Sequence, residues 1–295
     1  MPEKIIFALS FYGKKADDHQ INFYDVVQAL SGFQRSLALT THLVLNDEII
    51  THAPALNGAT IEALPPEPGS WKVMAAVTVL LGGVYKLGTT PKDTPIGNLV
   101  YSAYDYVISE SLGFHVDFNK SLGQQYDELK TSHPFIPKLE QNRLDSLVEK
   151  CEVPITDIHR PIVSKKTAST ALITMEVGSE IRKVGHQFNL STFEYIYQTK
   201  RSKDTVSVRG RISSYNSNTF KGRVYLPDYG RPVPFELMES AKDHTSIALI
   251  TGSLTINALR GVSDKEVGYV QFLVYLHTSK SGALKSVDIT QVSAS

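Results

Sequence analysis

The hydrophobic period of the chain changes near residue 200, and that change limits the possible folds more than any single motif. Before it, apolar residues recur at helical spacing between short β-branched runs. From Asp204 onward they fall in strand-like runs of about five to twelve residues separated by turn residues. A helical stripe buries itself on a sheet or another helix, whereas a series of short strands closes into a barrel or packs as a sandwich. The pattern predicts an α+β chain with an N-terminal α/β sandwich-like domain over residues 1–199 and an all-β barrel or sandwich over 200–295, joined in "QTKRSKD". At 295 residues the chain exceeds one typical domain of about 100–200 residues, in agreement with two.

In the first part, "KIIFALSFYG" (4–13) reads as a strand ending at Gly13. "NFYDVVQALSGFQRSLALTTHLV" reads as a long helix capped by Asn22, with Asp25 in its first turn and Phe23, Val26, Val27, Leu30, Phe33 and Leu37 on one apolar face. Gly32 within it suggests close packing against the sheet. "ATIEALPPEPGSWKVMAAVTVL" reads as a hairpin across "PPEPGS". A second helix opens at Thr94-Pro95, carries Ile96, Leu99, Val100, Ala103 and Val107 on one face, and stops near Gly113. Further helices are expected over 137–151, opened by Pro137, and over 155–163. A strand is expected over 169–177, and a short helix over 192–199 with Ser191 and Glu194 spaced as a capping box.

"SWKVMAAVTVLLGGVYKLG" (70–88) admits three readings: part of a membrane span, a buried strand, or a distorted phosphate loop. A span needs about 20 apolar residues to cross about 30 Å of hydrocarbon. Val73 to Leu87 is shorter and already contains Thr78, Gly82-Gly83 and Lys86. A buried strand from Trp71 to Leu81 followed by a Gly-Gly break accounts for the apolar density. In "GVYKLGTT" the two glycines have P-loop spacing, but Thr89 stands where the chemistry requires a lysine to reach the phosphates.

Thirty basic and thirty acidic residues cancel, yet residues 1–199 carry 17 Lys and Arg against 22 Asp and Glu, and residues 200–295 carry 13 against 8. The start "MPEKIIFALSFYGKK" lacks the apolar run of a secretory signal, so a cytoplasmic protein is expected. The single cysteine, Cys151, closes the apolar helical series Leu144, Leu147, Val148, which reads as a packed thiol.

Nine histidines are scattered without HExxH or other metal-ligand spacing. "ADDH" (16–19) groups two carboxylates and an imidazole, but in a polar loop such residues are ordinarily solvated. GxSxG, GxGxxG and kinase signatures are absent. No catalytic, cofactor-binding or metal residue is assigned and no cofactor is expected, although an acid and base assembled only in three dimensions stays open. These observations favour a non-enzymatic binding or assembly protein.

The informative segment is "TVSVRGRISSYNSNTFKGRVYLPDYGRPVPFEL" (205–237). With side chains alternating along a strand, Val206, Val208 and Ile212 face inward while Arg209, Arg211 and Tyr215 face outward. In the next strand Phe220, Val224 and Leu226 face inward while Lys221, Arg223 and Tyr225 face outward. Four cations and two tyrosines on one face of a hairpin have the composition of a platform for single-stranded nucleic acid, or of a protein-binding face. Exposed strands also carry Lys and Arg simply for solubility and to block edge pairing.

"YNSNTFKGRVYLPDYGRPVPFEL" resembles the C-terminal five-stranded β-barrel of an uncharacterised family of bacterial and phage-associated proteins. "INFYDVVQALSGFQRSLALTTHLVL" and "IEALPPEPGSWKV" are similar to that family's α/β domain. The resemblance implies architecture, so that of barrel and sandwich a small antiparallel β-barrel is the form expected over 200–295, and through its setting a role in phage defence or counter-defence. The expected partner is a protein or a second copy of the chain. Single-stranded nucleic acid is the alternative, and membrane engagement through residues 71–87 a weaker one.

Overall fold

The structure is a computed structural model and describes residues 5–51, 53–65, 71–80, 95–125, 137–177, 180–259, 268–279 and 282–294. The chain divides into two compact units, Met1–Ile196 and Tyr197–Ser295.

In the first unit β1 (Ile5–Tyr12) is the central strand of an antiparallel sheet with β2 (Ala59–Leu64), β3 (Trp71–Val79), β4 (Thr170–Val177) and β5 (Glu180–Phe188), in the order β2-β3-β1-β4-β5. Alternation sends Phe7, Leu9 and Phe11 to one face, where all are fully buried. That core is shared with α1 (Phe23–Asn46), α2 (Pro95–Ser111) and α3 (Gln141–Ile158). Phe7 meets Tyr104 of α2 edge to face, with centroids 5.6 Å apart, and the Tyr104 hydroxyl lies 2.9 Å from Ser36 Oγ of α1. This pairing satisfies two buried polar groups. The expected hairpin and the apolar face of α2 are present, with Ile96, Leu99, Val100, Ala103 and Val107 all buried.

Several local expectations need correction. Asn22 does cap α1, its side chain accepting from the Asp25 amide at 3.2 Å, but the buried stripe runs through Val26, Ala29, Phe33 and Leu37. Phe23 and Val27 are exposed, Val27 because it lies off the buried stripe and Phe23 because it stands in the first turn, at the end of that stripe. Gly32 packs against the Pro154 carbonyl of α3 rather than against the sheet. α3 itself starts after residue 137 and runs through Pro154, where two helices were expected. Burial of Leu147, Cys151, Pro154, Ile155 and Ile158 outweighs the about 3 kcal/mol that an interior proline costs a helix. The single turn α4 (Arg160–Val163) follows. α5 (Leu190–Tyr197) is capped by Asn189, not by a Ser191–Glu194 box: the Thr192 amide donates to Asn189 Oδ1 at 3.0 Å, and the Asn189 amide donates to Thr192 Oγ1 at 2.9 Å. β5 was not anticipated.

Within the segment 70–88, Trp71–Val79 is a strand. The Gly-Gly break and the loop resembling a phosphate site lie outside the described residues. No described helix is long and apolar enough to cross a membrane.

The second unit is a five-stranded barrel. β7 (Val206–Asn216), β8 (Lys221–Leu226) and β9 (Arg231–Leu237) form an antiparallel meander, and β10 (Val270–Ser279) returns beside β7. β11 (Leu284–Ala294) closes the barrel, antiparallel to β10 and parallel to β9, so the barrel is mixed where a purely antiparallel one was expected. The short β6 (Thr199–Arg201) pairs with the end of β10. Val208, Ile212, Val224, Leu226, Phe235, Phe272 and Ile289 fill the interior. α6 (His244–Ala258) is an unforeseen helix between β9 and β10. Its start is fixed by Asp243, whose carboxylate accepts from the Thr245 and Ser246 amides at 2.9 and 3.0 Å.

Candidate functional site

Strands β7 and β8 hold all six residues singled out from the sequence, and the register decides where each one points. Arg211 pairs with Tyr225 and Ile212 with Val224, but the next pair is Ser214 with Arg223, leaving Ser213 as an extra residue in β7. Such a bulge reverses the parity of everything after it. Tyr215, expected on the outside, is thereby turned inward across Gly222 and stacks on Phe235, with ring centroids 6.3 Å apart.

The other five lie on the outer face in very different settings. Arg209 is exposed, and its guanidinium sits 4.3 Å from the centroid of the Tyr269 ring. Arg211 lies 5.2 Å from the same ring and 5.8 Å from that of Tyr225, yet only 8 % of it is exposed. Arg223 is 1 % exposed, so it is no freely accessible cation either. Lys221 is half-buried and pairs with Glu236 of β9 at 3.6 Å. The result is an interleaved ladder, Arg209, Tyr269, Arg211, Tyr225, in which each ring contributes a negative face to a guanidinium. Tyr269 was missed in the sequence reading. The signal was present in the alternation of Tyr269, Gln271 and Leu273, opposite Val270 and Phe272.

A second polar group lies where β6 meets β10. Asp288 Oδ2 accepts from Arg201 Nε at 3.1 Å and lies 2.9 Å from His277 Nε2, while the Arg201 guanidinium covers the Tyr275 ring at 3.6 Å. A depression of about 400 Å³ near the start of α6 is lined by Ser240, Asp243, Ser246, Thr290 and Gln291. Its one carboxylate already serves as the helix cap.

In the first unit the most strongly perturbed groups are buried side chains. His159 is fully buried, with Nδ1 2.9 Å from the Ile155 carbonyl and Nε2 2.9 Å from Thr192 Oγ1. Burial lowers its pKa to about 4. The neutral ring therefore donates from Nδ1 to the carbonyl and accepts at Nε2 from the hydroxyl. Burial pushes the Cys151 thiol up to about 12, which leaves no thiolate at neutral pH. Burial also raises the Asp105 carboxyl, opposed by the Gly185 amide, which donates to it at 2.7 Å. Asp17 of the "ADDH" stretch accepts from the Gly13 amide at 2.7 Å, and no group of three or more possible metal ligands occurs among the described residues.

No curated protein and no solved structure matches the chain. Residues 204–293, which contain the barrel, match a family described as Family of unknown function (DUF7947), and residues 7–197 match Domain of unknown function (DUF7946). Since the second of these matches takes in well over half of its length, the chain belongs to the DUF7946 family, here with a DUF7947 barrel behind the family's α/β domain.

Proposed function

We propose that this chain is a cytoplasmic binding or assembly protein, not an enzyme, whose barrel docks a protein partner or a second copy of the chain. The observation that carries the reading is the ladder of Arg209, Tyr269, Arg211 and Tyr225 on the outer face. Arginine and tyrosine are the residue types that dominate interface energetics, because rigid rings and a planar guanidinium lose little freedom on docking. The experiment is affinity capture and light scattering with an Arg209→Glu/Lys221→Glu variant that keeps the parent's thermal midpoint. Loss of capture or of self-association is the expected result; unchanged association moves the contact off this face. The resemblance to bacterial and phage-associated proteins extends the proposal to phage defence or counter-defence, tested by plating phage on cells with and without the chain.

One observation favours a second reading. The strand order β7-β8-β9-β11-β10, with a helix between β9 and β10 and a parallel β9·β11 closure, is that of an OB-fold. In that architecture the face of the second and third strands commonly takes oligonucleotides or oligosaccharides. Here the outer face of β8 presents Lys221 and Tyr225, with Arg223 buried. By fold analogy the barrel would then bind a single strand, with affinity falling steeply between about 50 and 200 mM salt. Salt-insensitive binding, or none, removes this reading.

A further inference from the structure

Phe23, the first residue of α1, is 80 % exposed and its neighbour Tyr24 is 62 % exposed, although both lie beside a complete hydrophobic core. Two loops meet at this helix end. One follows β1 and carries Lys14 and Lys15; the other precedes β4 and carries Lys165 and Lys166. They are joined by backbone: the Ala16 amide donates to the Thr167 carbonyl at 3.0 Å, and the Ser169 amide to the Tyr12 carbonyl at 2.8 Å. The second loop is also tied to α1, the Lys165 amide donating to the buried Asp25 carboxylate at 3.1 Å. All four lysines are exposed, and none makes an ion pair among the described residues. Arg160 reaches the same place, its guanidinium 5.2 Å from the Tyr24 ring centroid. Lys14 and Lys166 also hold left-handed backbone, at φ 59° and 53°, a conformation that persists only where the surroundings enforce it.

We infer that this surface of the α/β unit binds single-stranded nucleic acid, the lysines following the phosphates and the two rings stacking on bases. Uncovered rings beside unpaired cations are the two components such binding requires, and a base offers a π-face whatever its identity. A flat anionic bilayer fits less well. Consecutive helix positions project about 100° apart, so Phe23 and Tyr24 do not enter one plane together. The inference is independent of the barrel readings.

The test is fluorescence anisotropy of labelled oligothymidylate and oligouridylate of about 20 nucleotides with the full chain, over a salt series. Phe23→Ala, which removes an exposed ring and leaves the core intact, is expected to weaken binding about 5- to 150-fold. Lys165→Gln/Lys166→Gln is expected to reduce the slope of log affinity against log salt by about 1.4, the value for two phosphate contacts on a single strand. Both effects, with binding retained in Arg209→Glu/Lys221→Glu, establish the surface whatever the barrel does. No binding at low salt, binding unchanged in the Phe23 and lysine variants, or loss only in the barrel variant overturns it. Equal affinity for polyglutamate or for phosphatidylserine vesicles overturns it too, since neither offers a base to stack.

Discussion

Tyr215 and Phe235 stack with their rings 11° from parallel across a strand that separates them, because Gly222 between them has no side chain. A Cβ at Gly222 would meet the Phe235 ring at 2.9 Å and crowd the Ser214 carbonyl. The Ser213 bulge and Gly222 thus act together, one turning the tyrosine inward and the other leaving room for it. Gly222→Ala is expected to destabilise the barrel by about 1–3 kcal/mol in denaturant unfolding, as overpacked cores do. Lys221→Ala, one position away on the outer face, should stay within about 0.5 kcal/mol.

Helix propensity alone makes Gly32→Ala stabilising by about 1 kcal/mol. The Pro154 carbonyl at that position is helix backbone on the buried face of α3, packed directly against α1, and cannot swing aside as a flexible side chain would. Overpacking of about 1–3 kcal/mol therefore wins, and the expected result is a lower denaturation midpoint for the alanine variant. A raised midpoint would show the two helices to be freer than their packing implies.

His159 ties stability to pH. Its folded pKa of about 4 lies below the unfolded value near 6.5, so between these values the unfolded chain binds the extra proton. Stability contributed by the neutral ring is complete above about pH 7 and falls as the pH drops from 6.5 toward 4, by up to about 3 kcal/mol. Urea titrations at several pH values should show this slope. His159→Gln should be less stable at neutral pH but flatter through the same window.

Asp105 separates charge from hydrogen bonding. Burial raises its pKa, so its ionised form opposes folding as the pH climbs past that value, while its oxygen still satisfies the Gly185 amide. Asp105→Asn keeps an acceptor and drops the charge, and is expected to match or exceed the parent's thermal midpoint at pH 7. Asp105→Ala strands the amide and should cost about 1–3 kcal/mol.

Periodicity made β1, the β2–β3 hairpin, α2 and most of the barrel's inward series legible, because each has one face against a core and one against water; Val206, expected inward, is exposed at the start of β7. It failed where a local irregularity resets parity. Nothing in "RGRISSYNSN" announces that Ser213 is the extra residue, and with that shift Tyr215 moved from the expected site to the core. It failed likewise for Phe23, which has the spacing of the α1 stripe but lies on the turn where the sheet no longer covers the helix. Arg211 and Arg223 have the right parity, but alternation reports direction and not depth, so their burial was invisible. α6 was hidden because "HTSIALITGSLTINA" mixes apolar and small polar residues all round the helix and so shows no stripe, and only Asp243 before it marked a helix start.

β11 has a consequence for how the molecule matures. Among the described strands it alone bridges β9 and β10, and it is the last to be made. The β7–β8–β9 meander forms from neighbours in sequence, but while a ribosome still holds Leu284–Ala294 both β9 and β10 keep a raw edge of unpaired amides and carbonyls. Such edges recruit strands from other chains. The nascent barrel therefore keeps two aggregation-prone edges until β11 has emerged and paired, and a chaperone acting in that interval would be shielding β9 and β10.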